Sequence, residues 1–174
     1  MQNRMFMLAA VAATVFIAGA CGDDDVVQPP PVVVSKIVTF RATMNGASEV
    51  PVNSSTGSGT FTATLDTSTN VFIYDCTFTG LTSNVNNGHI HGPAAVGVNS
   101  GTTINFNTLP GATFSIGQPA GACRGQTVLT AATQITAAVN GDSLKKLLFA
   151  GLTYINIHTV NSPGGEIRGQ VLKQ

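Results

Sequence analysis

The chain has 174 residues, formally neutral with eight Lys+Arg and eight Asp+Glu, and only 9% charged against 43% hydrophobic. Without clustered basic residues it has no footprint for nucleic acid, which is held by displacing counterions from phosphates. With this much apolar surface to bury, most of the chain is not disordered. Abundant glycine and threonine without tryptophan favour short strands joined by tight turns.

Residues 1–20 read as an export signal. Arg4 supplies a positive start, and the apolar run Met5–Ile17 is too short and too early for a membrane span. It ends in Ala18-Gly19-Ala20-Cys21, which resembles the lipobox of bacterial lipoproteins, with Ala18 where leucine is usual. On that resemblance Cys21 carries the lipid and tethers the protein to a membrane. An ordinary secretory signal cleaved near Ala20 is the alternative, and both export the chain. Gly22 after the cysteine, where inner-membrane retention uses aspartate, implies an outer-membrane or cell-surface location. Residues 21–35 hold Asp23-Asp24-Asp25 and Pro29-Pro30-Pro31, a stiff acidic tether that cannot build a core.

A single domain is expected over 36–174. Ile37–Met44 is β-branched and reads as a strand. Gly59–Leu65 and Val71–Phe78 flank Asp66–Asn70 and form a predicted hairpin. Thr102–Phe106 is a further short strand. Leu144, Leu147 and Leu148 recur at helical spacing, with Asp142 or Ser143 as N-cap and Gly151 as the stop. Strands over Leu152–Thr159 and Glu166–Leu172 close the chain around the turn Ser162–Gly165. The expected architecture is mainly β, an antiparallel β-sandwich, immunoglobulin-like or superoxide-dismutase-like, with one or two short helical insertions.

With Cys21 set aside, Cys76 and Cys123 are left in an oxidising compartment, where a disulfide is the simplest outcome and two separate buried thiols the alternative. The three histidines are more informative. Alternation along a strand puts His89 and His91 on one side of Asn87-Gly88-His89-Ile90-His91. In Tyr154-Ile155-Asn156-Ile157-His158 the isoleucines take the core side, so Asn156 and His158 face the other way. Glu166, Arg168 and Gln170 alternate against Ile167 and Val171 in the same manner. Side by side, these segments would gather His89, His91 and His158 into one polar cluster with Asn156, Glu166 and Arg168. Three imidazoles suit copper or zinc, with a fourth position open. Two other readings stand beside this one: histidines hydrogen-bonded to backbone carbonyls, with Glu166 and Arg168 as an ion pair, and a proton-transfer role. The sequence has no nucleophile elbow, phosphate loop or catalytic-cysteine motif, so an enzyme is not expected.

Five segments carry a family resemblance. They are Phe40–Pro51 (FRATMNGASEVP), Gly57–Phe61 (GSGTF), Gly88–Ala94 (GHIHGPA), Leu148–Thr159 (LFAGLTYINIHT) and Gly164–Val171 (GGEIRGQV). In this order, over roughly 38–172, they resemble the CHRD domain, a module named after chordin. The resemblance implies a β-sandwich-like extracellular module that binds or builds structure at the cell envelope, and names neither a reaction nor a protein or surface ligand. The His-x-His strand is also loosely similar to copper-zinc superoxide dismutases, but this chain has too few histidines for their two-metal site.

Overall fold

Alternation of apolar and polar residues builds the framework. On β1 (Ile37–Asn45) Val38, Phe40, Ala42 and Met44 point inward. Phe61, Ala63 and Leu65 do so on β2 (Ser58–Asp66), and Phe72, Tyr74, Cys76 and Phe78 on β3 (Val71–Thr79). The computed structural model describes residues 36–133, 135–136 and 139–174. The predicted export signal, lipid site at Cys21 and acidic tether lie outside the described residues.

The remaining strands are β4 (Val85–His91), β5 (Thr102–Asn105), β6 (Thr113–Phe114), β7 (Gly121–Val128), β8 (Thr153–Thr159) and β9 (Ile167–Lys173). All nine join one antiparallel sheet in the order β5-β4-β8-β9-β1-β2-β3-β7-β6. The expected mainly β, antiparallel architecture is present, and both of its walls come from one sheet that curls into a half-barrel. Its two ends meet through aromatic rings. Phe106, just after β5, packs 5.2 Å from Tyr74 and 5.8 Å from Phe114. Gly88 permits this approach, because a Cβ there would stand 2.7 Å from the Phe114 ring and 3.0 Å from Phe106. The Val85 N–H donates to the Gln118 carbonyl and the Gly117 N–H to that of Val85, tying β4 to the loop before β7.

The core lies in the concavity. Its described members run from Val38 to Val171, so a chain beginning at Lys36 keeps them all. The helix α1 (Gly141–Phe149) buries Leu144 and Leu148 there. Its N-cap is Asn140, not Asp142 or Ser143: the Asn140 carboxamide oxygen accepts from the Ser143 N–H at 2.9 Å. Asp142 falls in the first turn, where a carboxylate favours the helix dipole. Gly151 takes φ +66 just past the helix, as a stop residue should. A second helical piece is the 3₁₀ turn Gly46–Ser48. Strands β6 and β7 have no counterpart in the sequence reading. Their small residues give little strand signal, and β7 is held by pairing with β3. Cys76 and Cys123 face each other across that pairing, Cα atoms 4.9 Å apart, and form the disulfide.

Candidate metal centre

Strands β4 and β8 are neighbours, with His89 opposite Asn156, His91 opposite Tyr154 and Asn87 opposite His158. Side-chain parity therefore puts all three histidines on one side of the sheet, while Ile90, Ile155 and Ile157 fill the core. One ring nitrogen from each histidine lies within 4.8 Å of the other two. Metal–nitrogen bonds near 2 Å put tetrahedral ligand atoms about 3.3 Å apart, so an ion requires side-chain shifts of about an ångström.

The hydrogen bonds sort the ring nitrogens. His91 Nδ1 is 2.9 Å from the Ser100 carbonyl oxygen, and His158 Nδ1 is 2.9 Å from that of Pro163. Carbonyls only accept, so each Nδ1 carries the proton, and in the neutral His158 ring the lone pair is then on Nε2. His158 Nε2 meets His89 Nδ1 at 3.0 Å, and His91 Nε2 lies 3.1 Å from Asn156 Oδ1. His158 thus turns its Nε2 toward His89 with a backbone acceptor on its far side, the outer support that metal-binding histidines use, whereas His91 Nε2 faces the carboxamide oxygen of Asn156.

Both faces of the sheet are covered here, and every residue of β8 is buried. His91 and His158 are buried and His89 is half-buried. Burial drives the His89 pKa down to about 4, helped by the neighbouring His158 and His91. His91 and His158 are also lowered, burial again dominating over their carbonyl hydrogen bonds. All three are neutral at pH 7, the form that binds a metal.

Of the other expected cluster members, two sit beside the histidines and one does not. Asn156 contacts His91 directly. The guanidinium carbon of Arg168 lies 3.4 Å from the centroid of the Tyr154 ring, which stacks on His91. The guanidinium also donates to Asn99 Oδ1 and the Val98 carbonyl, steadying the loop that presents Ser100. The Glu166–Arg168 ion pair does not form. Glu166 lies just before β9, fully buried, and accepts from Ser55 Oγ, the Thr82 N–H and hydroxyl, and Thr159 Oγ1. Burial raises its pKa, but those donors outweigh it and hold the carboxyl below its ordinary value. Four neutral donors satisfy this carboxylate, so it needs no cation.

The sequence reading missed Glu49, a buried acid that faces Asn156 from the loop after β1. Burial pushes its pKa up to about 7 against the opposing pull of Arg168, the Val50 N–H and Asn156. Its Oε1 has no hydrogen-bond partner among the described residues. No local pattern marks it: one acid in a loop looks solvated until the fold covers it.

The family model for the CHRD domain matches residues 40–171, which include all three histidines, Glu49 and the disulfide. The chain belongs to the CHRD-domain family. No curated protein and no solved structure matches it. The histidines, Tyr154, Asn156 and Arg168 are therefore parts of the CHRD domain itself and not of an appended segment.

Proposed function

We propose that this CHRD-domain protein is an exported, lipid-anchored envelope protein that holds one copper or zinc ion on His89, His91 and His158. The observation that carries the metal reading is that one ring nitrogen from each of the three histidines lies within 4.8 Å of the other two, with Nδ1 of His91 and His158 occupied by backbone carbonyls on their far sides. Imidazoles that merely pinned loops would not need to gather in one place. Three neutral nitrogen donors suit both ions, and the fourth position is open to water or a small ligand. Export rests on the signal-like residues 1–20 and is supported by the disulfide, which persists in an oxidising compartment, and anchoring rests on Cys21.

Titration of Cu²⁺ and Zn²⁺ into residues 36–174 tests the ion. The expected result is one ion per chain with a rise in melting temperature, because a ligand of the folded state stabilises it by mass action. His91→Ala and His158→Ala should each weaken binding by about 100-fold or more. An unshifted wild type, or variants that bind like wild type, would overturn the site. For the anchor, Cys21→Ser in the full chain should leave an unlipidated, unprocessed precursor, and normal maturation of that variant would refute it.

A further inference from the structure

The chain has four lysines, at 36, 145, 146 and 173, and the fold brings all of them to one end of the domain. Lys36 precedes β1 and its carbonyl accepts from Thr67 in the β2–β3 turn. Lys145 of α1 reaches Asn70 of that turn at 2.7 Å. Lys146, one residue on, lines a cavity of about 580 Å³ between the helix and the turn, together with Thr67, Asn70 and Phe149. Lys173 ends β9 opposite Phe40, its Nζ 5.5 Å from the Phe149 ring centroid. Among the described residues only Lys145 has a carboxylate partner, Asp142 at 3.0 Å. Ile37 and Leu172, next in the chain to Lys36 and Lys173, are exposed at 56% and 50%, and Phe149 beside Lys173 at 40%.

Exposed lysines interleaved with large apolar side chains are the chemistry of a surface that meets lipid headgroups. The position agrees, because residues 21–35 enter the domain at Lys36, at this same end. The fourteen residues between Cys21 and Lys36 span at most roughly 50 Å, so a lipid on Cys21 would leave this end within reach of the surface. We propose that the lysine-bearing base of the domain docks on an anionic lipid surface. The anchoring at Cys21 proposed above says which surface the base would meet, whereas the docking face itself is built entirely from residues 36–174. The competing occupant is the chain's own Asp23-Asp24-Asp25, which matches the charge but not the exposed Ile37, Phe149 and Leu172.

Cosedimentation of unlipidated residues 36–174 with vesicles tests this, using phosphatidylcholine alone against an equal mixture with phosphatidylglycerol. Binding to the mixed vesicles only, weakened by high salt, is expected. Lys36→Gln, Lys146→Gln and Lys173→Gln together should lower the partition coefficient by about tenfold or more. Equal partition into both vesicle types, or a triple variant that binds like wild type, overturns the proposal. Residues 22–174 provide the second arm. If they bind no vesicles until Asp23, Asp24 and Asp25 become Asn, the acidic segment is the occupant and lipid docking fails. Because every protein in this experiment lacks the lipid, a failure here leaves the Cys21 reading standing, and failure of Cys21→Ser leaves this result standing.

Discussion

The ring of His91 lies flat on that of Tyr154, centroids 4.7 Å apart and planes within 6°. The opposite face of Tyr154 carries Arg168, so a guanidinium, a phenol and an imidazole form one stack. Packing on a fixed aromatic plane limits rotation of the His91 ring and holds it beside His89 and His158, ring centroids 5.1 Å and 6.3 Å away. Tyr154→Leu retains the bulk but loses the plane, and should weaken metal affinity by about tenfold while costing about 1–2 kcal/mol of stability. Tyr154→Phe should be near wild type, because the Tyr154 hydroxyl contacts with Ser100 are long at 3.4 Å. Calorimetric metal titration of both variants distinguishes the stack from the hydroxyl. Equal losses in the two would discard the stacking argument.

The histidines predict how stability depends on pH in a metal-free solution. Their folded pKa values are depressed, to about 4 for His89. Below the unfolded value of 6.5 the unfolded chain takes up protons that the folded chain refuses, so stability is full above pH 6.5 and falls as pH drops toward 4. Denaturant unfolding across this range in the presence of chelator should show that slope. His89→Gln should flatten it in part, and a flat wild-type profile would contradict the burial of three neutral rings.

Glu49 works in the opposite direction. Its folded pKa of about 7 exceeds the ordinary 4.5, so the folded state holds a proton that the unfolded state releases. Stability from this group is present below pH 4.5 and lost as pH rises to 7, by about 3 kcal/mol in all. Glu49→Gln removes that loss. The variant should gain stability relative to wild type as pH rises from 4.5 to 7 and hold the gain above, which paired unfolding curves at pH 5 and pH 8 would reveal. A constant difference between the two proteins would show that the carboxyl is ionised in both states.

Closure of the half-barrel depends on the missing side chain at Gly88. Gly88→Ala forces a methyl into the Phe114 and Phe106 rings and should cost about 2 kcal/mol. Gly101→Ala, where an added Cβ meets nothing within 4 Å, should stay within about 0.5 kcal/mol of wild type. Thermal melts of the pair provide the check. Similar melting temperatures would mean that the sheet ends are not packed as tightly as described.

Much of the framework was legible because it is written at short range. Strands β1, β2 and β3 alternate cleanly, and the β2–β3 turn is flagged by Asp66–Asn70. What escaped was carried by long-range pairing. Strand β7, GACRGQTV, has few β-branched residues and forms because Cys76 and its neighbours supply a partner. Asn140 caps the helix in place of the expected Asp142 or Ser143, since cap choice depends on where Leu144 and Leu148 meet the core. The Glu166–Arg168 pair was inferred from alternation alone, which gives the side of a strand but not the partners waiting there.

The amino-acid sequence by itself determined which side of its strand each histidine takes, because the two-residue period of an extended chain allows no other arrangement once the isoleucines are buried. It also offered Cys76 and Cys123 as the simplest disulfide, the pair that the fold joins. Only the tertiary structure decided that β4 lies beside β8, that the three imidazoles come within reach of one another, and that Glu49 is sealed from water. The β4–β8 pairing and the cover over Glu49 join residues tens to more than a hundred positions apart, and no local pattern encodes which distant surface will cover a given side chain.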